Sequence, residues 1–131
     1  MPLSFDHKPS QPEESARIVN AGGFVVEANG HSRVNGNLNL SRALGDLKYK
    51  QTSGLDWSEQ MITGCPDVTE HLIHEDDEFV IIACDGVWDI LSNQEAVDFV
   101  RSRADEPLEK ICEQIFDHCI SDDPKQTRVQ E

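Results

Sequence analysis

Long apolar runs are missing from this chain of 131 residues. Nothing in it approaches the roughly 20 consecutive apolar residues that a membrane-crossing helix needs. The start, Met1-Pro2-Leu3-Ser4, lacks the apolar core of a secretion signal, so no membrane partner is expected. Cysteine is scarce: Cys65, Cys84, Cys112 and Cys119 show no CxxC pairing, which argues against a disulfide scaffold. Cys112, His118 and Cys119 sit close in sequence without a fourth ligand, and zinc is set aside. Basic residues are few, 11 against 25 acidic ones, for a net charge of -14. Residues 1–50 are almost balanced, with 5 acidic and 6 basic side chains, whereas residues 51–131 hold 20 acidic and 5 basic. Such a surface lacks the basic face that nucleic acid requires. The Glu75-Asp76-Asp77-Glu78 run reads as a solvated turn. Repeats, a glycine-rich phosphate loop and any Ser/His/Asp or Cys/His nucleophile arrangement are also missing. With 37% hydrophobic residues and a mean hydropathy of -0.50, the composition is that of a soluble protein with room for one core.

What is present begins with Phe79-Val-Ile-Ile-Ala-Cys-Asp85-Gly86-Val87-Trp88-Asp89. The apolar run predicts a strand buried on both faces, holding Cys84. It ends abruptly at a carboxylate followed by glycine, a place where metal or phosphate sites are commonly built. The plainer alternative is a turn capped by Asp85 with Trp88 plugging the core.

Around it, Ser10-Gln-Pro-Glu13 reads as a capping box opening a helix that Gly22-Gly23 stops. Residues 24–27 predict a strand, Asn29-Gly30 a hairpin turn and residues 31–34 the return strand. Residues 38–44 are helix or loop, and 47–60 a loop with a lone Trp57. Residues 66–73 predict another strand, and Ser92-Asn-Gln-Glu95 a second capping box and helix. From Pro107, residues Leu108, Ile111, Cys112, Ile115, Phe116, Cys119 and Ile120 keep the spacing of one long amphipathic helix. After Ser121 the tail is polar and expected to fray. Strands in the middle with helices outside suit an α+β layered architecture.

Five phrases stand in order: Asp6-His7-Lys8-Pro9; Ala21-Gly22-Gly23; Arg33-Val34-Asn35-Gly36 running on to Ser41-Arg42-Ala43-Leu44-Gly45-Asp46; Pro66-Asp67-Val68; and Ala83-Cys84-Asp85-Gly86-Val87-Trp88-Asp89. Together they resemble the C-terminal part of the catalytic domain of the metal-dependent protein phosphatase 2C family of serine/threonine phosphatases. The resemblance runs from Pro2 to about Cys119. It implies part of an α-β-β-α sandwich, two antiparallel sheets flanked by helices, with residues 1–120 forming a partial catalytic domain and residues 121–131 a polar tail.

The same resemblance implies two Mg²⁺ or Mn²⁺ ions held by aspartates and a bridging water that attacks a phosphoserine or phosphothreonine in line. The family's N-terminal Glu-Asp pair, its Asp-Gly-His-Gly-Gly phrase and its C-terminal Asp-Asn phrase do not occur here. Asp85 is therefore the one metal-ligand position that carries over, and the chain is expected to be an inactive fragment when isolated. Arg33 is the candidate substrate contact, with a solvent-facing hairpin arginine as the plainer reading. Arg42 and Asp46 are expected to pair structurally, Asp89 to cap or brace the turn after Asp85, and His7 to brace its surroundings. Phosphoprotein substrates, a monomer when complete, and an intracellular location in cytoplasm or nucleus follow from the family. The alternative is a phosphatase-like interaction protein without catalysis.

Overall fold

The computed structural model describes residues 1–28 and 30–120. Residues Leu3–His71 form one compact unit, and the chain from Leu72 onward, with Met1–Pro2, forms a second.

In the first unit, α1 spans Pro12–Asn20. Its N-cap is Gln11, with no side-chain cap, and the expected Ser10/Glu13 capping box does not form. Pro12 occupies the first helical position, where a missing N–H costs nothing, and the Ser10 amide instead bonds the Ser32 hydroxyl at 3.2 Å. The other end closes as the glycine pair predicts. Gly22 has φ +87°, its N–H reaches Val19 O, and the Gly23 N–H reaches Ile18 O, both at 2.9 Å. That is the paired closure of a left-handed helix C-cap.

Strands β1 (Val25–Ala28) and β2 (His31–Val34) pair antiparallel, with Val25 opposite Val34 and Ala28 opposite His31. The expected turn falls at position 29, outside the described residues, and at Gly30, where φ is +76°. Val34 then turns back on Leu38 through Asn35 (φ 51°) and Gly36 (φ 73°). Two successive positive φ values and the Asn37 N–H to Val34 O bond of 3.0 Å are those of a type I′ turn. Residues 38–44 are irregular, and within 47–60 lies a short 3₁₀ turn, Leu47–Tyr49. Its Tyr49 joins Ile18, Val34 and Ile62 in the core of this unit, while Trp57 stays exposed.

The second unit holds α2 (Asp85–Trp88), α3 (Asn93–Arg101) and α4 (Leu108–Cys119). Ser92 and Glu95 form the expected capping box on α3, each side chain meeting the other's backbone N–H. On α4 the periodic stripe buries Ile111 and Ile115, while Leu108 and Phe116 remain exposed. Val87, Leu91, Ala96 and Ile115 make the core. The acidic run 75–78 is an exposed turn, with Glu78 held by Arg101 at 2.6 Å.

Two expected strands are corrected. Residues 66–73 are exposed and lie in no strand, and the Thr69 hydroxyl donates to Leu3 O at 3.0 Å. Residues 79–84 lie in no sheet, and Val80, Ile82 and Cys84 are exposed rather than buried. A strand is stabilised by neighbours that complete its hydrogen bonds and cover its faces, and among the described residues this segment has helices on one side only. The observed architecture is mixed helix and strand with a small two-stranded antiparallel sheet.

Candidate functional site

Asp85 opens a single helical turn whose position is fixed from behind. Cys84 precedes it in extended conformation. The Val87 N–H returns to Cys84 O at 3.1 Å, and the Asp89 N–H to Asp85 O at 2.8 Å. Val87 is buried and Trp88 packs beside it, the indole N–H donating to Ala83 O at 2.8 Å. The apolar residues of the turn thus seat it in the core while Asp85 stays exposed. Mg²⁺ and Mn²⁺ prefer near-octahedral sets of oxygen ligands. One exposed carboxylate does not make such a set, and among the described residues no group of three or more His, Cys, Asp or Glu is placed to hold a metal ion. The residues present therefore do not by themselves fit a dinuclear centre.

Arg33 lies on β2 opposite Val26. Its Nη1 donates to Asn37 O at 2.9 Å, so part of the guanidinium is engaged by the Asn35-Gly36 turn. Asn35 secures that turn: its Oδ1 accepts from the Phe24 N–H at 3.0 Å, and its Nδ2 lies 3.3 Å from Met61 Sδ. Arg33 and Asp85 belong to different compact units.

The densest polar chemistry lies elsewhere, around Glu14 on α1, which is 2% exposed. Its Oε1 accepts from Arg42 Nη2 at 2.6 Å and Nε at 3.0 Å. Oε2 lies 2.7 Å from Arg17 Nη2, an ion contact without hydrogen-bond alignment. Arg42 also reaches Asp67 Oδ1 at 2.6 Å and Cys65 O at 3.1 Å. His7 Nε2 is 2.8 Å from Asp67 Oδ2, and His7 O accepts from the Ser41 hydroxyl at 2.6 Å. His7 thus braces, as expected. The Arg42–Asp46 pairing is corrected: the partners of Arg42 are Glu14 and Asp67, and Asp46 sits in the left-handed region with φ 49°.

Burial pushes the Glu14 carboxyl up, but the adjoining Arg17 and Arg42 guanidiniums and the Ser41 side chain outweigh it and bring the pKa down to about 2. Hydrogen bonding to His7, then Arg42, lowers Asp67, and Glu14 raises Arg42 further above its ordinary value. Beside the cluster opens a cavity of about 380 Å³, lined by Leu3, Phe5, His7, Arg42, Leu44 and Asp67 among others. Glu14 and Arg42 are committed to each other, which makes the cluster a clamp joining α1, the 41–43 segment and the 65–67 segment.

Comparison with known proteins settles the family, since the model of protein phosphatase 2C matches residues 1–127. The chain belongs to the protein phosphatase 2C family. It is 52% identical over 122 residues to Protein phosphatase 2C homolog 2 of Schizosaccharomyces pombe, a match covering 92% of this chain and 32% of that protein. A probable protein phosphatase 2C of Caenorhabditis elegans is 49% identical over 124 residues, covering 93% and 34%. The crystal structure of a phosphatase from Toxoplasma gondii superposes with a TM-score of 0.73 at 30% identity, covering 89% of this chain and 36% of that one. A Caenorhabditis elegans sex determining protein gives 0.66 at 31%, covering 88% and 28%. The chain thus has a phosphatase 2C-like fold and spans about a third of the length of the curated relatives it matches.

Within that family frame, Glu14, Arg17 and Asp67 are the residues that reading by local pattern missed. Their contacts to the 41–42 segment cross 24 to 28 residues, beyond any helical or strand period. The one usable signal was Arg42 itself, a long cation among the otherwise small or apolar residues 41–45.

Proposed function

We propose that these residues serve a metal-dependent protein serine/threonine phosphatase, acting on phosphoserine and phosphothreonine in protein substrates. The family match over residues 1–127 carries this reading. The exposed carboxylate of Asp85, on a turn seated in the core by Val87 and Trp88, supports it. In a complete domain, bound Mg²⁺ or Mn²⁺ would supply a water acidic enough to serve as nucleophile near neutral pH. Asp85 would contribute one oxygen ligand to such a metal, and Arg33 is the proposed substrate contact. Residues 1–120 are part of a catalytic domain built as an α-β-β-α sandwich, monomeric when complete, and the 131-residue chain alone is inactive. The location is intracellular, in cytoplasm or nucleus.

The test is to capture the endogenous protein with an antibody against residues 95–120 and assay it on a phosphothreonine peptide. Release of phosphate with Mn²⁺, abolished by EDTA, is the expected result. No Mn²⁺-dependent release from the captured protein would overturn the reading.

A further inference from the structure

Asn35 follows β2 in a backbone conformation that asparagine tolerates and most residues avoid, with φ 51°. It is pinned to Phe24 twice: its N–H donates to Phe24 O at 2.8 Å, and its Oδ1 accepts from the Phe24 N–H at 3.0 Å. Its Nδ2 lies 3.3 Å from Met61 Sδ, and Met61 packs against the Ile18, Val34, Tyr49 and Ile62 core. Val34, the residue before it, is fully buried. The turn made by Asn35 and Gly36 is therefore anchored to the core, and it closes with the Asn37 N–H on Val34 O at 3.0 Å. Asn37 O accepts from Arg33 Nη1 at 2.9 Å. Among the described residues this is the one hydrogen bond of the Arg33 guanidinium, which forms no ion pair. A guanidinium carries several N–H donors in a rigid fork, so the other donors are open to an anion.

We infer that Asn35 is a positioning residue for substrate binding: through the Asn35-Gly36 turn it fixes the Arg33 guanidinium, whose remaining donors grip the phosphate of the phosphoprotein substrate. The inference rests on the phosphatase reading above, in which Arg33 is the substrate contact. Its physical basis is pre-organisation. An unrestrained arginine loses much rotamer freedom when it grips an anion. One already fixed by Asn37 O loses less, which tightens binding without any new contact. Asn35 touches no substrate in this account and acts only through Asn37 O and Arg33. Glycine at position 35 accepts the positive φ but lacks the carboxamide. Asn35→Gly therefore keeps the path of the turn while releasing its side-chain hold on the Phe24 N–H and Met61.

The experiment measures kcat and KM with Mn²⁺ for the intact endogenous protein and for its Arg33→Met, Asn35→Gly and double variants. The substrate is a phosphothreonine peptide free of Asp and Glu, so that phosphate is the anion Arg33 meets. Arg33→Met should raise KM at least about 10-fold, the scale of a hydrogen bond to a charged group. Asn35→Gly should raise it about 5-fold with kcat within about 2-fold. In the Arg33→Met background, Asn35→Gly should add less than about 2-fold, because the group it positions is gone. A turn that only supported the fold would behave differently: partial unfolding removes active enzyme, lowering apparent kcat and leaving KM where it was. The inference is overturned if Asn35→Gly leaves KM unchanged, if it raises KM by the same factor in both backgrounds, or if Arg33→Met leaves KM unchanged. Absence of Mn²⁺-dependent release by the unsubstituted protein would instead overturn the phosphatase reading itself, so the two failures are distinguishable.

Discussion

Replacing Arg42 by methionine keeps an unbranched side chain and removes one of the two cations holding Glu14. The carboxylate is 2% exposed, and Arg42 supplies both hydrogen bonds to its Oε1, at 2.6 and 3.0 Å. Removing one partner of a buried ion pair costs about 3–5 kcal/mol. Arg17 remains in ion contact at 2.7 Å, which places the cost near the lower end, about 3 kcal/mol. The acidity of Glu14 leads to a similar figure. Its pKa falls from 4.5 to about 2, and at about 1.36 kcal/mol per unit that is a ceiling of about 3 kcal/mol shared among Arg17, Arg42 and Ser41. Because the folded-state pKa is depressed, this stabilisation is fully present above the unfolded value of 4.5 and is lost as pH falls toward about 2. The cost of Arg42→Met should therefore be full at pH 6 and less than half at pH 3. Hydrogen exchange of the Val34 amide, bonded to Leu38 O at 2.7 Å, and of the Ala43 amide, bonded to Thr63 O at 2.9 Å, reads the stability of this unit. After correction for intrinsic rates, both should exchange roughly 100-fold faster in the variant at pH 6. A cost below about 1 kcal/mol, or an equal cost at both pH values, would refute the clamp.

Three further outcomes are expected. Gly22→Ala places a side chain at φ +87° and should cost about 1 kcal/mol by urea unfolding, whereas a neutral result would mean that the α1 terminus relaxes. Ser92→Ala removes the Oγ that accepts the Glu95 N–H and should cost about 1 kcal/mol, seen as faster amide exchange at the start of α3. With one carboxylate and no companion ligands among the described residues, the 131-residue chain should bind Mn²⁺ only in the millimolar range or weaker. Calorimetric titration checks this, and micromolar binding would contradict the ligand account.

What could be read from residues alone was local. The α4 stripe from Leu108 to Cys119, the Ser92/Glu95 box, the Gly22-Gly23 stop and strand β2 each depend on neighbours within a turn or on a two-residue hairpin, and all appear in the fold. Ser10 looked like a helix cap, yet its amide is drawn to Ser32 across 22 residues and Pro12 starts the helix instead. Asn35-Gly36 carried the same turn signal as Asn29-Gly30 and passed unread because it sat inside a longer phrase. Arg42 was paired with nearby Asp46, but burial of Glu14 selected a partner 28 residues away. Residues 79–84 have the β-branched content of a strand but lie in no sheet. Their burial depended on neighbouring strands, which a local pattern cannot supply. At the candidate site the exposed turn at Asp85 was legible, and among the described residues no group of three or more His, Cys, Asp or Glu is placed to hold a metal ion there.

The most direct test of the account is the metal dependence of the intact endogenous protein carrying Asp85→Ala. Turnover of a phosphothreonine peptide should fall at least about 100-fold, with the Mn²⁺ concentration needed for half-maximal activity raised, as loss of a metal ligand requires. Unchanged turnover and unchanged Mn²⁺ dependence would contradict it, removing Asp85 from the metal site.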